Sequence, residues 1–288
     1  MWASLILLAA QEPPLPEAAP PLPVESRSRF QPWRDNYVQL LSWRADLPKR
    51  TPAAAGGKNR ELEAEFQLSF RYLINGEHLE PWFWDDSAIY AAYTSRSYWQ
   101  VYNREDSRPF RTTEHAPELF LERPLRDGRW LMRYSPLLHQ SNGEAGTVSR
   151  SWDRSYVEFV WRSDEELQGL HTARPDEYLA AQSVSAMLWY PWDASPSDNP
   201  DIIDYFGYGQ LRYTRYFDVP YKPAISVTTR SILGSGAEFR GAFEVDLSLT
   251  FTGISRLHFQ FFRGYGDSLL EYDRLVTRYG FGFELIPW

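Results

Sequence analysis

A histidine, a serine and an aspartate that could act together in nucleophilic catalysis occur in one stretch, LHQSNGEAGTVSRSWDRSY, at residues 138–156. His139 and Ser141 are two positions apart, so in an extended chain their side chains point the same way. A serine becomes nucleophilic when a histidine takes its proton, and a third group must hold the imidazole. The spacing therefore predicts a triad of Ser141, His139 and Asp153, with the Gly143 amide available to an oxyanion.

The same residues also fit a less specific interpretation, a polar loop without catalytic function. The segment SNGEAG would form the tip of any hairpin, and serine and aspartate are common in polar loops. The other histidines point to no site: His78 and His115 are predicted in loops. His171 lies beside a charged run, and His258 alternates on a polar strand face. The elements around the segment must decide between a triad and a polar loop.

Those elements alternate apolar and polar residues at period two, which is the pattern of half-buried β-strands. The alternation is clearest at 66–74, 241–251 and 277–285. Such runs have the length of a tilted membrane-spanning strand, roughly 9–11 residues, whereas strands of soluble proteins average about five to six. No apolar run is long enough for a membrane-spanning helix. The pattern therefore favours a transmembrane β-barrel.

Twelve candidate strands can be placed, an even number as a closed antiparallel barrel requires. They are Asn36–Trp43, Glu65–Ile74, Ala88–Gln100, Glu118–Glu122, Trp130–Gln140, Ser151–Arg162, Val184–Trp189, Gly207–Phe217, Ala224–Arg230, Gly241–Phe251, Arg256–Arg263 and Thr277–Leu285. The predicted fold class is all-β, a twelve-stranded antiparallel transmembrane barrel. A barrel of this size lies between small filled barrels and open porins.

The two faces of the candidate strand Ser151–Arg162 predict on which side of the barrel wall the site lies. One face carries Asp153, Ser155, Val157, Phe159 and Trp161, and the other carries Arg154, Tyr156, Glu158 and Arg162. The first face is predicted to contact lipid and the second to face the lumen. Asp153 then lies on the outer wall, and a charged network should fill the lumen where five inward side chains meet: Arg71, Glu244, Asp246, Arg278 and Glu284.

Composition agrees with a barrel but does not separate it from an aromatic-rich soluble β-sandwich. Aromatic residues make up 16% of the 288 residues, with 12 Trp, while the mean hydropathy is −0.49. A net charge of −8 gives no sign of nucleic-acid binding, and the absence of cysteine excludes disulfides and thiolate chemistry. Residues 1–28 are predicted to be a disordered leader, with a signal remnant at Leu5–Ala10 and a Pro-rich segment, and residues 29–288 the barrel domain.

Seven motifs follow one another along the chain: DNYVQL, EFQLSF, YTSRSYWQVYN, EDSRPFR with PELFL, HQSNG with SRSWDRSY, DNPDIIDYFGYGQL, and GYGDSLLEYD with TRYGFGFEL. In this order, from Asn36 to the C-terminus, they closely resemble the outer-membrane phospholipase A family. The resemblance implies a twelve-stranded barrel in the Gram-negative outer membrane, with its active site on the outer wall at the outer leaflet. It also implies calcium-dependent hydrolysis of acyl esters of glycerophospholipids and lysophospholipids by a homodimer.

The resemblance assigns roles to single residues. Ser141 matches the nucleophile, His139 the base, and the amide of Gly143 part of the oxyanion hole. The calcium ligands it implies are the Ser149 hydroxyl and two backbone carbonyls, from Glu144 and from Ser107 of the partner subunit. Oxygen-only ligands of this kind suit calcium.

This chain departs from the family pattern at three positions. The family's orienting residue is typically asparagine, where this chain has Asp153, which restores the ordinary Ser–His–Asp set. A glutamine at the family's dimer seam matches Ser95, which predicts fewer hydrogen bonds across the seam. Gly146 replaces an acidic residue found in the calcium loop of some members. The departure at Asp153 leaves open an alternative, a catalytically inactive barrel with a structural or transport role.

Overall fold

The computed structural model describes most of the predicted barrel domain, at residues 29–45, 59–74, 87–125, 129–163, 182–195, 197–230, 240–253 and 255–285. The predicted leader at 1–28 lies outside the described residues, and so do His78 and His171. Among the described residues, no helix is long and apolar enough to cross a membrane.

Thirteen antiparallel strands form one sheet, and twelve of them close into a barrel because β3 pairs with both β2 and β4. The strands are β1 (Phe30–Pro32), β2 (Tyr37–Arg44), β3 (Leu62–Leu73), β4 (Ala88–Trp99), β5 (Phe110–Leu125), β6 (Trp130–Ser141), β7 (Ser151–Arg162), β8 (Gln182–Asp193), β9 (Gly209–Tyr216), β10 (Ala224–Arg230), β11 (Ala242–Thr250), β12 (Ser255–Gly264) and β13 (Val276–Leu285). The short β1 pairs with one end of β3 outside this cycle. The one described α-helix, α1 (Ile202–Phe206), lies between β8 and β9.

The twelve predicted strands correspond to β2–β13, so the prediction of a twelve-stranded barrel is confirmed. Most ends agree within three residues, but two strands are longer than predicted. The segment predicted as Glu118–Glu122 is part of β5, which begins at Phe110, and β8 continues past Trp189 to Asp193. His115 therefore lies in a strand and not in a loop, which corrects its predicted position.

Alternation explains why these residues form strands of this length. On β3, Leu68 and Phe70 are exposed on the outer face, whereas Ser69 is buried between them. On β7 the predicted parity holds, because Tyr156 and Glu158 are buried in the lumen and Phe159 is exposed. Outward apolar side chains suit lipid, and closure of the sheet leaves the barrel without an open strand edge.

Charged side chains fill the lumen in two clusters. The first surrounds the inward-folded loop between β12 and β13, where Arg278 contacts both Glu65 and Asp267 at 2.8 Å and Arg111 contacts Glu271 at 2.9 Å. The second links four residues of β3, β5, β6 and β7 at 2.8–3.0 Å: Arg71, Glu122, Arg133 and Glu158. Two polar cavities of about 260 and 300 Å³ remain beside these clusters.

The five inward charges predicted to meet do face the lumen, but they belong to separate groups. Arg71 pairs with Glu122 in the second cluster, while Arg278 lies in the first, 3.9 Å from Glu244. Asp246 contacts His258 at 3.1 Å, and Glu284 accepts a hydrogen bond from a serine. A twelve-strand lumen is wide enough to separate groups on different strands.

Candidate active site

A β-bulge in β6 turns His139 and Ser141 outward. The register with β7 shifts between Ser135 and Leu138, next to Pro136, which has no backbone N–H to give to the ladder. Below the shift odd-numbered residues face the lumen, and Ser135 is fully buried. Above it the even-numbered residues do, and Leu138 lines a lumen cavity. This bulge explains why simple alternation could not assign the two faces of β6.

Two serine hydroxyls hold the bulge in place from opposite sides. Ser135 Oγ donates to the carbonyl of Leu119 on β5 at 2.9 Å. Ser155 Oγ donates to the carbonyl of Pro136 at 2.8 Å from β7. The bulge is therefore fixed by both neighbouring strands.

His139 and Asp153 lie directly opposite each other on β6 and β7, and Nδ1 of the histidine is 2.7 Å from Oδ1 of the aspartate. Their side chains remain 38% and 21% exposed on the outer wall. Since Asp153 engages Nδ1, the other ring nitrogen, Nε2, is the one available to a serine. Ser141, two positions along the same strand, is half-buried on the same outer face. The structure thus brings the three predicted catalytic side chains to one place.

The loop that follows Ser141 is organised by one buried residue, Asn142. Its side-chain oxygen accepts from the backbone N–H of Arg150 at 2.9 Å and of Glu144 at 3.3 Å, and its amide donates to the carbonyl of Val148 at 2.7 Å. Gly143 lies between these contacts with φ of 66°, a left-handed conformation that glycine adopts without strain. Asn142 therefore fixes the direction of the Gly143 amide, the predicted oxyanion donor.

The loop between β8 and β9 supports the site from the other side. Asn199 Oδ1 accepts from the backbone N–H of Ser151 at 3.0 Å, and the hydroxyl of Ser195 lies 3.2 Å from that of Ser151. Ser149, a predicted calcium ligand, donates its hydroxyl to Asp198 Oδ2 at 2.7 Å. Sequence reasoning had not assigned Asp198 or Asn199 a role, although both lie in the DNPDIIDYFGYGQL motif.

The donors around Ser149 fit a calcium ion. Calcium prefers oxygen ligands, and this region offers only oxygens. They belong to the Ser149 hydroxyl, the Asp198 carboxylate and the backbone carbonyls of residues 144–149. In the described ranges no three His, Asp or Glu side chains form a metal cluster, so a calcium ion here would be held by the single carboxylate of Asp198 together with hydroxyl and carbonyl oxygens. Gly146 adds no side chain, and a Cβ placed there would meet no atom within 4 Å.

Two other predicted calcium ligands lie in exposed turns. Glu144 is exposed in the loop after β6. Ser107 is exposed in the turn between β4 and β5, with φ of 59°. Connections β4–β5 and β6–β7 lie at the same end of an antiparallel barrel, so both residues face the same side of the membrane.

Among the residues that sequence reasoning missed, His115 lies nearest to the predicted nucleophile. It is the direct partner of Ser141 across β5 and β6. Its Nδ1 lies 2.6 Å from the hydroxyl of Tyr93 on β4. The signal that could have found it is the register between the two strands, because the local sequence around it is polar on both faces.

Fold and site together define a class. The closed barrel, apolar outside and charged inside, is that of a transmembrane β-barrel. The outer-wall cluster contains the residue types of a serine hydrolase, with the histidine–aspartate contact already formed.

The chain belongs to the phospholipase A1 family, whose model matches residues 23–285. It is 31% identical to the phospholipase A1 of Escherichia coli over 260 residues, which cover 88% of this chain and 80% of the relative. It is 33% identical to the phospholipase A1 of Salmonella typhimurium over 260 residues, with the same coverage. The protein is therefore an outer-membrane β-barrel phospholipase.

Solved structures agree with this assignment. The outer membrane phospholipase A from Escherichia coli superposes with a TM-score of 0.71 at 30% identity, covering 88% of this chain and 93% of that one. The outer membrane phospholipase dimer of Salmonella typhi, with bound calcium, superposes with a TM-score of 0.72 at 29% identity, covering 91% and 94%. A further Escherichia coli structure carries an active-site substitution of an asparagine by alanine.

Proposed function

We propose that this protein hydrolyses acyl ester bonds of glycerophospholipids and lysophospholipids with calcium, as A1, A2 and lysophospholipase, through Ser141, His139 and Asp153. The observation that carries the proposal is the 2.7 Å contact between His139 Nδ1 and Asp153 Oδ1 on a lipid-facing wall. A water-soluble substrate gains nothing from such a position. The ester of a lipid lies alongside the wall, at the depth where the strand ends.

The proton steps follow from the positions of the side chains. His139 Nε2 takes the proton of the Ser141 hydroxyl as the serine oxygen bonds to the ester carbonyl carbon. Asp153 holds the imidazole in the required tautomer and stabilises its positive form. The N–H of Gly143 donates to the oxyanion. His139 then returns the proton to the leaving alcohol, and water repeats the sequence on the acyl-enzyme.

The calcium site is placed at the loop between β6 and β7. The Ser149 hydroxyl, the Glu144 carbonyl and the Ser107 carbonyl of the partner subunit would hold the ion, and Asp198 lies beside Ser149 at 2.7 Å. A bound calcium ion supplies positive charge that supports the oxyanion. The calcium in the Salmonella typhi relative supports this part of the proposal.

We place the active form as a homodimer, with the site at the outer leaflet, because the calcium site takes a ligand from a second copy. The dimeric Salmonella typhi structure supports a second copy. Ser95 lies on β4 opposite exposed Leu68, where the family carries a glutamine. The shorter Ser95 side chain offers fewer hydrogen bonds to the partner, so we expect a dimer that dissociates more readily than one with glutamine at the seam.

The departure from asparagine at Asp153 is the reason to consider an inactive barrel. The carboxylate makes the contact that an orienting residue must make, since it accepts from His139 Nδ1 at 2.7 Å. An asparagine oxygen at that position would make the same contact. An asparagine is the residue replaced in the active-site mutant of the Escherichia coli relative, which supports the view that Asp153 takes the place of an asparagine.

The proposal is tested by hydrolysis of a phospholipid and a lysophospholipid in detergent, with calcium and with chelator. We expect release of fatty acid by the wild type with calcium and none with chelator. The variant Ser141→Ala should lose activity by on the order of 10⁵-fold. The matched control Thr229→Ala removes a hydroxyl from the outer face of β10, far from the triad, and should stay active. Activity retained by Ser141→Ala would rule out the triad, and activity in chelator would rule out the calcium role.

A further inference from the structure

His115 stands beside the proposed nucleophile, on the opposite side from Asp153. Register pairs it directly with Ser141 across β5 and β6, and directly opposed residues share one face of a sheet. Both side chains therefore lie on the outer wall. The β7 partner of Ser141 on the other side is Ser151. Ser141 thus has one imidazole along its own strand and a second across the sheet.

The imidazole of His115 also lies close to Gly143, whose amide is the proposed oxyanion donor. A Cβ built on Gly143 would lie 3.7 Å from Cδ2 and 3.8 Å from Nε2 of His115. The ring edge that bears Nε2 is therefore within van der Waals range of Gly143, whose N–H is proposed to donate to the oxyanion. His115 and Gly143 flank the space next to the Ser141 hydroxyl.

Tyr93 contacts one ring nitrogen of His115, Nδ1. The Tyr93 hydroxyl is 2.6 Å from Nδ1, and the two rings stack with centroids 6.1 Å apart. A neutral phenol can donate its O–H, and in that arrangement Nδ1 accepts and the proton of the neutral ring lies on Nε2. Nε2–H is then a hydrogen-bond donor, held in direction by the tyrosine and aimed toward the side of Gly143.

We propose that His115 is a further catalytic residue, which donates a hydrogen bond from Nε2–H to the oxyanion together with the N–H of Gly143. This inference rests on the proposed function. As the Ser141 oxygen bonds to the carbonyl carbon, the carbonyl π electrons move to its oxygen, and His139 takes the serine proton. Collapse returns those electrons, breaks the bond to the leaving alcohol and transfers the proton to that alcohol. His115 keeps its own proton throughout.

Two variants of His115 distinguish a hydrogen-bond donor to the oxyanion from a side chain that only fills space. His115→Phe keeps a flat ring and removes the donor, whereas His115→Gln places an amide N–H near the position of Nε2. For a donor to the oxyanion, His115→Phe should lower kcat on the order of 10²-fold with KM nearly unchanged. His115→Gln should recover most of that loss. Tyr93→Phe, which frees the ring, should lower kcat by less than His115→Phe.

The assay compares a lysophospholipid with a neutral ester that has no phosphate, and it also follows the rate at which a fluorophosphonate labels Ser141. The proposal expects His115→Phe to slow all three in parallel. A change confined to KM for the lysophospholipid would overturn it and make His115 a headgroup contact. Equal losses in His115→Phe and His115→Gln would also overturn it and leave a packing role.

Failure of this inference is distinguishable from failure of the proposed function. Wild-type kcat in His115→Phe, with Ser141→Ala inactive, would reject the role of His115 alone. An active Ser141→Ala would reject the triad, whatever the His115 variants do.

Discussion

Two histidine–aspartate pairs occur in the described barrel, one on its outer wall and one in its lumen. His139 and Asp153 are 2.7 Å apart with both side chains partly exposed, whereas His258 and Asp246 are 3.1 Å apart and almost completely buried. Each pair even has a serine at hand. Ser141 is two residues from His139, and Ser248 is the direct strand partner of His258.

The difference between the pairs is what else their atoms contact. In the lumen the Ser248 hydroxyl donates to Glu284, and Asp246 also accepts from Gln260 at 2.8 Å. On the wall, Ser141 is half-buried and stands where a lipid can reach it. The same three residue types therefore form a structural network in the lumen and the proposed reactive set on the wall, because the two places differ in exposure and in the hydrogen bonds that their side chains make.

The largest expected effect is a difference in activity between variants of the two histidines, His139 and His258. We expect His139→Ala to lose activity by about 10⁴-fold or more, since no other group takes the serine proton. His258→Ala should leave kcat close to the wild-type value, because it removes a lumen contact only. Initial rates on lysophospholipid measure both, after heat-modified gel mobility has verified folded barrels. Similar losses in the two variants would remove the functional distinction between the pairs.

The next effect concerns the two aspartates. Asp153→Ala should lower kcat by about 10²-fold or more, because His139 loses the group that fixes its tautomer. Asp153→Asn should keep measurable activity, since the amide oxygen can still accept from Nδ1. The lumen control Asp246→Asn should leave kcat unchanged. Complete loss in Asp153→Asn would mean that this enzyme requires the carboxylate charge.

A stability effect should belong to the lumen. Arg278→Ala removes a buried cation that lies 2.8 Å from both Glu65 and Asp267 and leaves Arg96 as their shared partner, and we expect a loss of about 3 kcal/mol in the free energy of unfolding. The control Arg60→Ala breaks an exposed pair with Glu105 and should cost less than about 1 kcal/mol. Urea unfolding in lipid vesicles measures both. Equal costs would indicate that water reaches the lumen network freely.

The smallest effect should belong to the outer wall at the dimer seam. Ser95→Gln adds an amide that can bond across the seam, worth about 1 kcal/mol, or roughly fivefold in the dimerisation constant. Thr229→Gln, on the outer face of β10 at the far side of the barrel, should change nothing. Sedimentation equilibrium in detergent compares the two. No gain from Ser95→Gln would place the seam elsewhere.

The sequence was sufficient to predict the barrel and to select the three side chains of the proposed triad, which the structure brings close together, because both depend on local patterns. Alternation at period two located the twelve strands, and residue types at short spacing located His139, Ser141 and Asp153. The beginning of β5 was missed because Thr112 and Glu114 face the lumen while Thr113 and His115 face outward, so polar residues occupy both faces. Without an apolar face there is no alternation to detect.

The supporting residues were missed because their contacts are distant in sequence. Asp198 reaches Ser149 from 49 positions away, and Asn199 reaches Ser151 from 48. His115 meets Ser141 through strand register, which a bulge shifts in β6. Neither composition nor spacing carries such information, and only the closed barrel brings these residues together.

The bulge beside Pro136 reverses which residues of β6, odd-numbered or even-numbered, face the lumen. One added residue lets the same strand serve the lumen with Arg133 and the membrane with Ser141. Inserting a single residue between Leu137 and Leu138, with the bulge kept, would reverse the alternation in the part of the strand above it. His139 and Ser141 would then turn into the lumen, and Leu138 and Gln140 would face lipid. A change of one residue in chain length would then abolish activity at the outer wall although every proposed catalytic residue is still present.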